Sequence, residues 1–192
     1  MAEVNSFNRE LEEAIQKYSE GDFQSAYDKY LKLAEEGHGD SQVFVGWMLE
    51  KGIGIAKSSE SAKKWFKRAA ELGSNLGAYY YAIYLIKNNK QEEAFKWITK
   101  AALNGDTPSI FRLGYMYVHG KGIRADLEKG LYYLELAANQ GHIYAKRELA
   151  VLDMKGGRGF IKRLLGPFNF LYVLFLGFVT AIRDQYSDNL RR

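Results

Sequence analysis

Three histidines, several paired carboxylates and three glycine-rich loops are the residues of this 192-residue chain whose types could carry chemistry. His38 and His142 each follow a glycine at equivalent points of a repeating pattern, which marks them as parts of the repeat. His119 stands just before Gly120, with no Ser or carboxylate fixed beside it in sequence, and a general base needs such a partner. Glu12-Glu13, Glu35-Glu36 and Glu92-Glu93 fall on helix faces or ends expected to be solvated. Gly52-Ile53-Gly54, Gly120-Lys121-Gly122 and Gly156-Gly157-Arg158-Gly159 lack the preceding strand and the Lys-Ser/Thr spacing of a phosphate loop. There is no cysteine, which removes thiolate nucleophiles, thiolate metal sites and disulfides. No metal-ligand spacing is present either. The chain is therefore read as non-enzymatic, with no catalytic residues, no cofactor and no metal.

The elements that position these residues repeat. Gly46 and Gly114, Trp65 and Tyr133, and Gly73 and Gly141 are each separated by 68 residues. A degenerate copy lies between, so each unit is about half that length, within the range of helical solenoid repeats. In the clearest copy Ser109, Leu113, Gly114 and Tyr117 share one helix face. Gly120 and Gly122 then suit a turn with positive φ. Ile123 is expected to anchor that loop, and Asp126 to cap the next helix. Leu131, Leu134, Ala137 and Ala138 face the core of the second helix, which Gly141 ends. The first full copy has Ser41, Val45, Gly46 and Leu49, then Gly52, Gly54 and Ile55, then Ser58 as cap. Its second helix carries Ala62, Trp65, Phe66, Ala69 and Ala70, and stops at Gly73. Paired alanines let helices approach closely. The middle copy turns at Asn88 and Asn89, and the amino-terminal copy at Gly21-Asp22. Four helix pairs and one further helix are expected before an apolar tail. The expected division is a repeat domain over 1–157 and a basic linker with an apolar helix over 158–192.

The run Leu113-Gly114-x-x-Tyr117-x-x-Gly120-x-Gly122-Ile123-x-x-Asp126, closed by Ala137-Ala138-x-x-Gly141, resembles the Sel1-like repeat family over roughly residues 39 to 155. The copies without the double-glycine loop look like the related tetratricopeptide repeats. The resemblance implies an all-α fold, a right-handed solenoid of antiparallel helix pairs that binds other proteins. Members often serve as adaptors in signalling or in bacterial envelope processes. Some secreted members carry a disulfide in each repeat, which this cysteine-free chain does not.

In such arrays the first helix of each pair lines a concave groove. Aligning the copies on Gly46, Ala82, Gly114 and Ala150 assigns Val43 and Trp47 to it, then Tyr79, Ile83 and Ile86, then Phe111, Tyr115 and Val118, and finally Arg147, Val151 and Met154. That set is mostly apolar and aromatic, which suits an apolar helix or peptide. A register off by one position would instead make these residues core. The chain's own apolar helix is a further possible occupant.

Residues 164–182 read LLGPFNFLYVLFLGFVTAI, without a charge. The membrane-associating side chains are taken as Leu164, Leu165, Phe168, Phe170, Leu171, Tyr172, Val173, Leu174, Phe175, Leu176, Phe178, Val179 and Ile182. About 20 apolar residues are needed to span a bilayer. Lys155, Arg158, Lys162 and Arg163 precede the segment, and Arg183, Arg191 and Arg192 follow it. Positive charge ahead of the segment would keep the repeats cytosolic. The layout is that of a tail anchor; a helix lying in the membrane interface, or one docked on protein, are the alternatives.

The start, MAEVNSFNRELEEAIQ, has no signal-peptide layout. The net charge of +4 is modest and gathered around the apolar tail, not along one face, so no nucleic-acid partner is expected. The expectation is an adaptor that holds a protein, such as an integral membrane enzyme of envelope polysaccharide assembly, at the cytoplasmic side of the bacterial inner membrane. The alternative is a soluble, cytoplasmic interaction module whose apolar helix docks on its own groove or drives self-assembly. Neither the oligomeric state nor the partner is legible.

Overall fold

The computed structural model describes residues 2–156 and 167–179, and every regular element among them is a helix. The chain divides into two compact units, Met1–Asp106 and Thr107–Arg192. The boundary between the two domains expected from the sequence, at 157/158, lies outside the described residues.

The first unit holds α1 (Ala2–Ser19), α2 (Phe23–Glu35), α3 (Gly39–Lys51), α4 (Ser59–Glu71), α5 (Asn75–Lys87) and α6 (Gln91–Leu103). Each helix packs on the next, and α3 also meets α5. Pairing is antiparallel: Lys32 reaches Glu10 at 2.6 Å and Lys29 reaches Glu13 at 2.7 Å, so numbers rise on one helix as they fall on the other. The second unit holds α7 (Thr107–His119), α8 (Leu127–Asn139) and α9 (Ile143–Met154), with α7 meeting both α8 and α9. Residues 167–179 form α10. Four helix pairs and a ninth helix before the tail match the count expected from the repeats.

Glycine sets how closely the helices approach. A Cβ on Gly46 would lie 2.6 Å from the Phe66 ring, so the missing side chain makes room for that ring on α3. On Gly114 it would lie 2.9 Å from the Leu134 backbone nitrogen, and here α7 and α8 touch backbone to backbone. Ala69, Ala70, Ala101, Ala102 and Ala137 are buried, as the close-packing argument requires, while Ala138 is half-buried.

The loops between helices explain the histidines. After each repeat-ending glycine the next residue donates its N–H to a carbonyl five residues back: His38 to Leu33, Ser74 to Ala69, Asp106 to Ala101, His142 to Ala137, at 3.0–3.2 Å. In three of these loops, at His38, Ser74 and His142, the same residue then caps the following helix. His38 Nδ1 accepts from the Ser41 N–H at 3.3 Å, the Ser74 hydroxyl from Gly77 at 3.0 Å, and His142 Nδ1 from Ala145 at 3.2 Å. One side chain thus closes one helix and opens the next, a task an acceptor on a short side chain can perform. Ser58 and Asp126 cap α4 and α8 as expected. Gly52, Gly54, Gly120 and Gly122 all have positive φ, between 62° and 75°. Ile123, expected to anchor its loop, is exposed. Backbone bonds from Lys121 to Met116 and from Asp126 to Tyr117 close that turn, and no side-chain anchor is needed.

Candidate functional site

One face of the first unit carries a continuous aromatic groove built by α1, α3 and α5. It consists of three adjoining hollows. The first, about 340 Å³, is lined by Ile15, Tyr18 and Phe44 among others. The second, about 330 Å³, shares Tyr18 and Phe44 with it and adds Val43, Trp47, Leu76 and Tyr80. The third, a cleft of about 470 Å³, shares Trp47 and Tyr80 and continues to Phe66, Ile83, Tyr84 and Lys87. The aromatic rings hold one another: Tyr18, Phe44 and Trp47 meet with centroids 6.1–6.3 Å apart, and Phe44 stacks on Tyr30 at 4.7 Å. Tyr80 stacks on Phe66 at 5.1 Å. The absence of a side chain at Gly46 thus seats the ring that floors the cleft.

Among the described residues charge gathers in the third hollow, where Glu50, Lys51, Lys57 and Lys87 stand around the cleft, while Asp40 stands at the first. Glu50 pairs with Lys87 at 2.9 Å. The neighbouring Ser59 side chain and then Lys87 hold its carboxyl below the usual carboxylate range, against the effect of burial. Among the described residues Lys51 and Lys57 enter no ion pair.

In the second unit the corresponding helices α7 and α9 carry a different set. Phe111 stacks on His142 at 4.5 Å and meets Tyr115 at 6.3 Å. The Arg112 guanidinium lies over both rings, and Arg147 over Tyr144. His119 Nε2 lies 2.8 Å from Glu148 Oε1 and its ring packs on Tyr115. That carboxylate is not legible along the chain, because 29 residues separate the two. Burial pushes the His142 imidazole below its ordinary value, and Arg112 adds to the effect.

Of the residues aligned on the repeats, Trp47 and Ile83 line the first unit's third hollow. Tyr79 packs on the Tyr80 ring, and Ile86 is half-buried. Val43 is a core residue, 2 % exposed, that reaches the second hollow only from beneath. Phe111 and Tyr115 belong to the second unit's ring cluster. Val118 packs toward α8, since a Cβ on Gly130 would lie 2.5 Å from its methyl. Arg147 is exposed, and Val151 and Met154 are half-buried. Tyr18, Phe44, Leu76 and Tyr80 were not picked out. The second and third hollows are lined by 43, 44, 47, 50 and 51 on α3 and by 76, 80, 83, 84 and 87 on α5, whereas the alignment gives 43 and 47, then 79, 83 and 86. A shift of one residue turns a helix face by about 100°, enough to exchange Val43 for Phe44. The clue in the sequence was the run Phe44, Trp47, Lys51, whose spacing of three and four ends in a charge.

Of the apolar tail, Leu164, Leu165 and Ile182 lie outside the described residues, as do the basic positions 158, 162, 163, 183, 191 and 192. In α10, Val173 is 6 % exposed, and Phe170 and Leu176 are half-buried on the same stripe. Phe168 is 70 % and Phe178 65 % exposed, and Leu171, Tyr172, Leu174, Phe175 and Val179 are exposed with them. Among the described residues no helix is long and apolar enough to cross a membrane, and no group of three His, Asp or Glu is placed to hold a metal ion.

Helix pairs of this kind, ended by glycine and stacked by alanine, define an all-α repeat protein. The Sel1 repeat model matches residues 39–74, 75–106 and 107–142, more than half of the chain, and the chain belongs to the Sel1 repeat family. It is 30% identical over 130 residues to mouse Protein sel-1 homolog 2, covering 63% of this chain and 19% of that protein. A Neisseria meningitidis protein is 34% identical over 125 residues, covering 64% of this chain and 26% of its own length. The chain therefore spans about a fifth to a quarter of these relatives. Among solved structures it is similar to a Sel1 repeat protein from Oxalobacter formigenes, with TM-score 0.76 and 25% identity over 90% of this chain and 72% of that one. It shares its fold with c5321, a protective antigen of uropathogenic Escherichia coli, at TM-score 0.73 and 21% identity over 86% of this chain and 38% of that one. Repeats of this family generally serve as protein-interaction scaffolds and not as catalysts.

Proposed function

We propose that the chain is a non-enzymatic adaptor that takes a segment of a partner protein along the aromatic groove of its first unit. The observation that carries this is the continuity of the three hollows through Tyr18, Phe44, Trp47 and Tyr80. An apolar surface rimmed by polar residues is the usual mark of an interaction site. The apolar segment 164–182 holds the adaptor at the cytoplasmic side of a membrane, the inner membrane in a bacterium, and the partner is an integral membrane protein. The exposed side chains of α10 support this part: each large one left in water forgoes roughly 1.5–3 kcal/mol, so another surface must cover them. Fractionation of the tagged chain tests it. Recovery in the membrane pellet, released by detergent and abolished by deleting residues 160–192, is expected; a soluble full-length chain ends the membrane reading.

A second reading draws on Val173. It is buried, and Phe170 and Leu176 are half-buried on the same stripe of α10, which supports a tail that rests on protein. On this reading the tail docks on the chain, or on a second copy, and the protein is a soluble interaction module. Deletion of residues 160–192 separates the two. It leaves an anchored adaptor as a well-folded monomer, and strips a docked tail from a surface that then aggregates.

A further inference from the structure

The third hollow differs from the other two in charge, and that difference selects an occupant. The first two are walled mainly by Tyr18, Phe44, Trp47 and Leu76, side chains that offer carbon to a ligand. Where the groove continues past Trp47 and Tyr80 it meets three lysines and one glutamate. Glu50 answers Lys87 at 2.9 Å. Glu60, nearby on α4, bonds the Tyr84 hydroxyl and lies 3.6 Å from Lys63. Glu50 also feels the charge of Lys57, so three lysines against one glutamate leave this end of an apolar groove net positive, with Lys51 and Lys57 outside any ion pair among the described residues. At the opposite end Asp40 is the charged residue among the described ones that line the hollow.

From this asymmetry we infer that the groove takes an amphipathic segment of a partner protein whose apolar side chains fill the two carbon-lined hollows and whose carboxylates lie against Lys51 and Lys57. The inference rests on the groove proposed above as the binding surface. Apolar contact supplies the affinity, and the lysines set direction and discriminate between partners, which is what charge at an interface does best. The same charges disfavour the chain's own tail. Residues 164–182 are bordered by Arg158, Lys162, Arg163 and Arg183. Seating that segment in the groove would set like charge against Lys51 and Lys57.

Two synthetic helical peptides of equal length test this. Both carry leucines at spacings of three and four; one ends in glutamates, the other in lysines. Binding is read from fluorescence on the full chain in mild detergent, with Trp47→Phe identifying the Trp47 part of the signal. The glutamate peptide is expected to bind roughly tenfold tighter at low salt, with the preference fading near molar salt as screening shortens the field. Lys51→Glu with Lys57→Glu, both at exposed positions, reverses the order, with an unchanged circular dichroism spectrum showing that the fold is kept. Equal binding of both peptides, or the same order in the charge-reversed protein, overturns the inference and leaves the groove standing. Tighter binding of the lysine peptide overturns it in favour of a basic occupant such as the tail. Failure of both peptides to perturb Trp47 overturns the groove itself.

Discussion

Positions 44, 47, 51, 76 and 80 of the first unit are Phe, Trp, Lys, Leu and Tyr; 68 residues on, the second unit has Arg112, Tyr115, His119, Tyr144 and Glu148. The helices and the loop glycines that place these residues correspond. Their chemistry is not. In the first unit Lys51 and Tyr80 stand on the walls of an open cleft. In the second their counterparts, His119 and Glu148, bond to each other at 2.8 Å and bridge α7 to α9. A repeat scaffold fixes where side chains stand, and each copy is then free to leave that place open or to close it with a pair of its own.

The largest effect should come from removing the groove's central ring. Trp47→Ala should weaken capture of a groove ligand by roughly thirtyfold or more, about 2 kcal/mol, as for a buried aromatic anchor. Tyr115→Ala, at the equivalent place, should change it less than twofold. Equal losses in a titration would show that both units bind.

Next come the two helix-contact glycines. Gly114→Ala forces a methyl against the Leu134 backbone and should cost about 1–3 kcal/mol in urea denaturation, even after the usual gain in helix propensity. Gly46→Ala meets a ring, which can yield where backbone cannot. It should cost less stability, yet disturb the groove by displacing Phe66. If the first variant spares folding and the second spares binding, the contrast between the two contacts fails.

A smaller effect follows from His142. Its folded value lies below the unfolded one near 6.5, because burial and Arg112 disfavour the imidazolium. The unfolded state therefore takes up the proton first as pH falls. The contribution to stability is fully present above about 6.5 and is lost below it, down through the folded value. Protonation also removes the Nδ1 acceptor that caps α9. His142→Ser copies the Ser74 cap of the first unit, so its denaturation midpoint should vary less between about pH 7.5 and 5 than that of the parent chain. An unchanged pH profile would remove His142 as its source.

The smallest change belongs to the bridge that distinguishes the units. His119→Gln should alter stability by about 1 kcal/mol at most, in keeping with a partly exposed ion pair. A loss of several kcal/mol would make the bridge a structural keystone of the second unit.

The helices were legible because their signals are local. Spacing of Gly46, Phe66 and Ala70, the positive-φ glycines and the caps Ser58 and Asp126 each act within a few residues of themselves. The family followed from the same residues. The groove was half legible: Val43, Trp47 and Ile83 are among the residues that line it, while Phe44, Leu76 and Tyr80 line it too and stand outside the aligned set. Periodicity fixes that a helix has an apolar stripe. It does not fix which edge of the stripe a neighbouring helix covers. Val43 and Phe44 are equally apolar, and only the packing of α3 against its neighbours decides that one is core and the other surface.

Sequence alone thus determined an all-α repeat, its helix boundaries and an apolar tail in need of cover, since all of these depend on short-range backbone preference and on hydrophobic content. Tertiary structure decided the rest: that three hollows share walls into one groove, that Lys51 and Lys57 stand at one end of it, and that His119 meets Glu148. Those facts depend on residues tens of positions apart arriving within a few ångströms. Helix packing sets that distance, and spacing along the chain does not.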